Sequence, residues 1–183
     1  MTDIIVSVEN LENILSEFKE LLGYEFIETI SKINKDRNLI PDELYTNDHP
    51  FRKYWIQFLK DIDYSKRMKQ LRLNETSLYC LSLFRSLKNL SEISNYSRLA
   101  DKIKYHDSFF STIFEIHTAS DFLDNFGDIL ITDESNSITR VADFICNVEN
   151  RQVHVECKSL DDNDRKLNSI LKTFSRLLNY DLL

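Results

Sequence analysis

Apolar residues recur every three or four positions through most of the first hundred residues, a spacing that predicts helices. The first helix has its apolar stripe at Val8, Leu11, Ile14, Leu15, Phe18, Leu21 and Leu22 and is expected to end at Gly23. Further helices are predicted over 24–35, 51–62, 77–90 and 96–104, and a longer one from 109 to Gly127. We therefore expect a helical N-terminal region, residues 1–105, that packs on the rest of the chain.

The pattern changes after Gly127 from helical spacing to short runs that predict β-strands. Residues 128–132 form the first run and residues 141–146 the second, in which Asp143 is an acid among apolar neighbours. In the third run, 152–158, residues alternate between an apolar set and an ionisable set. The ionisable set is His154, Glu156 and Lys158. One face of this strand is therefore apolar and the other can carry charge.

A polar pair, Glu149-Asn150, lies where a two-residue hairpin loop would join the second and third runs. If Val148 pairs with Arg151, Asp143 lies directly opposite Glu156. Opposed residues share a face, with Cβ atoms roughly 4.5 to 5.5 Å apart. Lys158 follows on the same face, about 7 Å along the strand. The register predicts two carboxylates and an ammonium in one patch.

Two carboxylates at this separation repel each other unless a proton or a cation intervenes. Hard divalent ions such as Mg²⁺ prefer carboxylate oxygens as ligands. A bound Mg²⁺ can polarise a phosphoryl oxygen and activate a water molecule, and a nearby lysine can offset developing negative charge. These residue types at this spacing therefore suit the hydrolysis of a phosphodiester.

The arrangement of Asp143, twelve intervening residues and then Glu156-Cys157-Lys158 resembles the PD-(D/E)xK nuclease superfamily. The resemblance covers roughly residues 108–180. It implies an α+β chain with a restriction endonuclease-like core, a small three-stranded mixed or antiparallel sheet flanked by helices, over residues 106–183. It also implies Mg²⁺-dependent cleavage of DNA, with Mn²⁺ able to substitute. Asp143 and Glu156 would then be metal ligands, and Lys158 the catalytic lysine.

The family often carries a further metal-binding glutamate in the helix before the hairpin, and Glu115 matches that position. Two features depart from the family. Ala142 stands where the family often has proline, and the sequence ends before the strand that usually follows the last helix. We therefore expect either a shortened core or a sheet completed by another segment or subunit.

Glu115 lies in line with the apolar stripe formed by Ala119, Phe122 and Phe126 on the helix from 109. A buried carboxylate without a partner is strongly disfavoured. The side chain therefore either points toward the metal, or lies at the margin of the stripe where it reaches solvent or pairs with a lysine or arginine. His117 lies on nearly the opposite side of this helix and is expected at the surface.

Composition excludes several other classes of protein. Only two glycines occur in 183 residues, so the chain has neither a Gly-rich phosphate loop nor a dinucleotide-binding fingerprint. Three cysteines without a CxxC spacing favour a reduced protein without a zinc site, in which Cys146 and Cys157 pack as small apolar side chains. No run approaches the roughly 18 apolar residues of a membrane span. We expect a soluble cytoplasmic protein.

The net charge of −7 is unfavourable for nucleic acid, but it is concentrated at one end. Residues 1–47 contain ten acids and four bases, a net of −6, whereas residues 52–72 contain seven bases and two acids, a net of +5. The basic segment also carries aromatic residues, which are Tyr54, Trp55, Phe58 and Tyr64. This pattern favours either nucleic-acid binding or an ordinary amphipathic helix with aromatic residues in the core.

The candidate nucleic-acid contacts in the basic segment are Arg52, Lys53, Lys66 and Arg67. Two more, Arg165 and Lys166, lie on an amphipathic helix predicted over 161–178.

The function expected from all of these features is a metal-dependent DNA endonuclease of defence, restriction or DNA processing. One alternative is an inactive nuclease-fold scaffold that needs a partner, and another is a purely structural ion pair of the acids with Lys158. A homodimer or a partner protein would use the amphipathic N-terminal helices.

Overall fold

The computed structural model describes residues 6–31, 49–132 and 142–158, and within them the chain is α+β. Six helices precede a three-stranded antiparallel sheet: α1 (Leu11–Leu22), α2 (Tyr24–Ser31), α3 (Phe51–Met68), α4 (Glu75–Leu90), α5 (Tyr96–Lys102), α6 (Phe109–Phe126), β1 (Ile129–Ile131), β2 (Phe144–Val148) and β3 (Arg151–Val155). The predicted helix over 161–178, with Arg165 and Lys166, lies outside the described residues. None of the described helices is both long enough and apolar enough to cross a membrane.

Helix α3 is longer than the hydrophobic pattern predicts, because a polar residue occupies a core position in its last turns. Ser65 is fully buried. Its hydroxyl donates to the carbonyl oxygen of Arg72 at 3.1 Å and accepts from the Arg72 backbone N–H at 2.9 Å. The helix then ends at Lys69, whose φ of 50° is left-handed. The serine thus closes the turn between α3 and α4, a role that an apolar pattern cannot indicate.

One continuous apolar core joins the first helices to α6 and the sheet. At its centre is Phe18 of α1, whose ring contacts those of Phe51, Trp55 and Phe84 at centroid distances of 5.9, 5.6 and 5.5 Å. Trp55 and Phe58 are fully buried. The aromatic residues of the basic segment therefore include two core residues, and base stacking by Trp55 and Phe58 is excluded.

Helix α6 packs between α4 on one side and strands β1 and β2 on the other. Because both sides are covered, polar as well as apolar residues of this helix are buried, among them Glu115 and His117. The expectation that His117 lies at the surface is wrong. Its Nδ1 lies 2.9 Å from the Ser86 hydroxyl of α4, and burial lowers the pKa of its imidazole to about 4.

This buried histidine should make the fold sensitive to acid. Its pKa is lowered in the folded chain from an ordinary value of 6.5, so the stability that it contributes is complete above pH 6.5 and is lost as the pH falls toward 4. The integrated loss is about 3 kcal/mol. We expect His117→Gln to flatten the slope of unfolding free energy against pH in this window, measured by urea denaturation. His154→Gln on the exposed strand is the control, and an unchanged slope in His117→Gln would contradict the assignment.

The sheet has the order β1-β2-β3, and the register of β2 with β3 is the one that the sequence predicts. Val148 pairs with Arg151 and Phe144 pairs with Val155. Between them Glu149 and Asn150 have φ values of 49° and 64°. Two successive positive φ values are typical of the type I′ turn that closes two-residue hairpins. The loop and the pairing of β2 with β3 are confirmed.

Candidate active site

Asp143 and Glu156 lie at the open end of the hairpin, directly before β2 and directly after β3. The last pair of the ladder is Phe144 with Val155, and the backbone N–H of Asp143 donates to the carbonyl oxygen of Val155 at 2.9 Å. Asp143 and Glu156 therefore flank the last pair at the same end of the hairpin, and their direct opposition stays a prediction. Asp143 is half-buried and Glu156 is exposed.

Neighbouring backbone groups hold Asp143 in place. Its Oδ2 accepts a hydrogen bond from the backbone N–H of Cys157 at 2.5 Å. Its carbonyl oxygen accepts from the backbone N–H and from the side-chain hydroxyl of Thr132, each at 3.1 Å. The carboxylate is thus connected to the chain beyond β3, and its backbone to the end of β1. A fixed carboxylate loses little freedom when it binds a further ligand.

Lys158 is paired with Glu156, although loosely. Its Nζ lies 3.6 Å from Glu156 Oε2, and the two side chains are 65% and 38% exposed. Exposed ion pairs of this kind contribute little to stability, typically 0 to about 1 kcal/mol. The pair exists, but it is too exposed to be a strong structural element, and the lysine can leave it at low cost.

Glu115 is buried, with 5% of its surface exposed, and it has a partner that the sequence did not single out. Lys102 Nζ donates to both carboxylate oxygens, at 2.7 and 2.9 Å. Burial raises the pKa of the Glu115 carboxyl and the nearby Asp143 carboxylate adds to the rise, whereas Lys102 opposes it. The expectation that Glu115 pairs with a lysine is confirmed. That it points toward a metal stays a prediction.

Lys102 is the last residue of α5, and that helix is attached to the end of β1. Asn95, at its N-terminus, donates from its side-chain amide to the carbonyl oxygen of Ile131 at 2.9 Å. Arg98 donates to the carbonyl oxygen of Thr132. Arg98 and Lys102 are four residues apart and so lie on one side of the helix. The helix itself was predicted, and this i, i+4 pair of cations is the sequence signal that could have indicated its contacts with β1 and Glu115.

The Cys157 thiol lies near Asp143 and two residues of α6, Glu115 and Thr118. It is half-buried, and burial followed by the Asp143 and Glu115 carboxylates raises its pKa to about 12. A hydrogen bond with Thr118 of α6 acts in the opposite direction. The thiol therefore stays protonated at neutral pH.

The two cysteines were expected to pack as small apolar side chains. Cys146 is fully buried and meets this expectation, and the half-buried Cys157 meets it in part.

The oxygens of Asp143 and Glu156 have the chemistry that a hard divalent cation prefers. Mg²⁺ is commonly bound by one or two carboxylates, with water and substrate phosphates completing its coordination. Across residues 6–31, 49–132 and 142–158, no three histidine, cysteine, aspartate or glutamate side chains are grouped closely enough to hold a metal ion. A metal ion held by Asp143 and Glu156 would therefore depend on water and substrate oxygens for its other ligands.

Two of the basic candidates of α3 already have acidic partners other than Asp143 and Glu156. Lys66 pairs with Glu12 of α1, and Arg67 Nη2 lies 2.7 Å from Asp63 Oδ2. Lys53 is exposed and Arg52 is half-buried. Within the described residues, no hydrogen bond or ion pair joins Lys53, Lys66 or Arg67 to Asp143. Their role in binding nucleic acid stays a prediction.

Comparisons of the chain with protein-family models, with curated proteins and with solved structures find no match. The candidate site therefore stands on its residues and their geometry.

Proposed function

We propose that this chain is a metal-dependent nuclease that hydrolyses phosphodiester bonds of DNA at the open end of the β2–β3 hairpin. The observation that supports the proposal is the strand register, which brings Asp143 and Glu156 to the same end of the hairpin, next to its last pair, with Lys158 two residues beyond Glu156. Asp143 is fixed by the Cys157 N–H, whereas Glu156 and Lys158 are exposed and accessible to a large substrate. The membership of the PD-(D/E)xK superfamily is part of the same proposal.

Asp143 and Glu156 would hold a Mg²⁺ ion, which when bound polarises a phosphoryl oxygen and lowers the pKa of a water molecule. Lys158 would leave its exposed pair with Glu156 and place its ammonium beside the attacking water. There it would offset the negative charge that develops on the phosphoryl oxygens. The exposed position of this end of the hairpin leaves room for a polymeric backbone.

The test is cleavage of plasmid and single-stranded DNA by the wild-type chain, with and without Mg²⁺ or Mn²⁺, beside Lys158→Ala. We expect metal-dependent cutting and a loss of roughly 10²-fold in rate in the variant, a magnitude typical of one lost charge-stabilising group. Lys19→Ala, which removes a lysine from α1 far from the hairpin in sequence, should cleave at the wild-type rate. Cutting by Lys158→Ala at the wild-type rate would overturn the role of this lysine.

A second candidate function is a scaffold with a nuclease-like fold that binds without cleaving. The ion pair of Glu115 with Lys102 favours it, because a cation of the protein already compensates that acid. In this case the wild-type chain binds DNA or a partner protein equally well with and without divalent cations, and neither it nor Lys158→Ala cleaves. The cleavage assay with a parallel binding assay separates the two functions.

A further inference from the structure

Lys102 compensates an acid that the sequence resemblance would assign to the metal. Its ammonium donates to both oxygens of Glu115, at 2.7 and 2.9 Å, and 28% of the lysine side chain is exposed against 7% of the glutamate side chain. A buried carboxylate requires a cation or a proton. Glu115 has a cation supplied by the chain itself, so it does not need a metal ion for that purpose.

The surroundings of Lys102 show that this contact is built into the fold. The Ser108 hydroxyl donates to the Lys102 carbonyl oxygen at 2.9 Å, which fixes the backbone where α5 ends. Toward the start of α5, Asn95 and Arg98 donate to the carbonyl oxygens of Ile131, the last residue of β1, and of Thr132. The lysine is thus aimed at Glu115 from a helix attached at both ends.

We propose that Lys102 is a positioning residue of the candidate site, a permanent counter-ion that holds Glu115 beside Asp143 in place of a second metal ion. The inference rests on the proposed nuclease function. It assigns to the site a single divalent cation with Asp143 and Glu156 as its protein ligands, and it removes Glu115 from the ligand set. The Lys102 ammonium donates hydrogen bonds to the two oxygens of Glu115. It therefore leaves the oxygens of Asp143 and Glu156 available to a metal ion.

Metal binding gives the first test, with Mn²⁺ alone as the probe in isothermal titration of the full chain. We expect one Mn²⁺ per wild-type chain and an affinity within about threefold of it in Glu115→Gln, whereas Glu156→Gln should weaken binding at least about tenfold. A tenfold loss of affinity in Glu115→Gln would overturn the inference, because Glu115 would then be a ligand. Two Mn²⁺ ions bound per wild-type chain would also overturn it.

Folding stability gives the second test and needs no metal. Lys102→Met leaves a buried carboxylate without its cation, so it should lower the folding equilibrium constant at least about tenfold. Lys102→Met with Glu115→Gln removes both charges and should recover most of that loss, as expected for two residues that act as a pair. Urea denaturation in the presence of EDTA measures all four chains. A double variant no more stable than Lys102→Met alone would overturn the counter-ion role.

The two tests separate this inference from the proposed function. Absence of Mn²⁺ binding by the wild-type chain would overturn the proposed nuclease and, with it, the single-cation site. If the double variant still recovered the stability lost in Lys102→Met, the counter-ion role of Lys102 would be supported in a protein of another function. Absence of that recovery would overturn the counter-ion role whatever the metal titration gives.

Discussion

Asp143→Asn is expected to lower metal-dependent DNA cleavage by about 10³-fold or more. The substitution removes one of the two carboxylates proposed to hold the metal. A Lewis-acidic cation supplies several kcal/mol of charge stabilisation in the transition state, and about 4 kcal/mol corresponds to roughly 10³-fold in rate. The asparagine side chain keeps an oxygen that can accept from the Cys157 N–H, so the fold should survive the change. Initial rates on supercoiled plasmid at saturating Mg²⁺ measure the effect.

The matched control is Asp128→Asn, because Asp128 lies directly before β1 and outside the candidate site. Its Oδ2 accepts from the Asn147 side-chain amide at 2.7 Å, an exposed contact that an asparagine can keep. The two variants have the same net charge, so a general effect of charge on DNA binding would appear in both. If Asp143→Asn cleaved as fast as Asp128→Asn, the proposed site would be wrong.

Phe18→Ala is expected to destabilise the fold by about 4 kcal/mol, a typical cost for truncating a buried aromatic residue. Phe18 is fully buried, and its ring contacts rings from α3 and α4, so its loss would open a cavity where three helices meet. A domain of this kind has a total stability of only about 5 to 15 kcal/mol. The variant should therefore be partly unfolded near 37 °C, as measured by urea denaturation and circular dichroism.

Tyr105→Ala is the control for this substitution, because Tyr105 is an aromatic residue with 68% of its surface exposed. Its replacement should change the unfolding free energy by less than about 0.5 kcal/mol. A loss below about 1 kcal/mol in Phe18→Ala would show that Phe18 does not hold α1 to the other helices. Unlike Asp143→Asn, this substitution acts through the stability of the whole fold.

The hairpin could be predicted from the sequence because both of its determinants are local. Strict alternation fixes which residues share a face, and a two-residue loop fixes the register, since a slip of one residue would exchange the two faces. The predicted opposition of Asp143 and Glu156 extends that register by one residue beyond the pairs that the structure shows. The structure confirms the register without any contact from outside the hairpin entering the argument.

The surroundings of Glu115 could not be predicted in the same way, because they depend on how three elements meet. Lys102 and Glu115 belong to separate helices, and their contact depends on the angle between α5 and α6. The prediction that His117 lies at the surface was wrong for the same kind of reason. It assumed that α6 packs against the protein through one apolar stripe only. A helix that packs on both sides buries residues around most of its circumference, and no single stripe describes it.

Helix α6 presents Glu115 toward the candidate site and His117, two residues later, toward Ser86 of α4. The two sides of this helix are therefore coupled, because a rotation of α6 that improves its packing on α4 also displaces Glu115 on the other side. Substitutions at the α4 side can therefore reduce cleavage without touching any reacting group. A loss of activity in such variants is evidence about the site only when the position of Glu115 is shown to be unchanged.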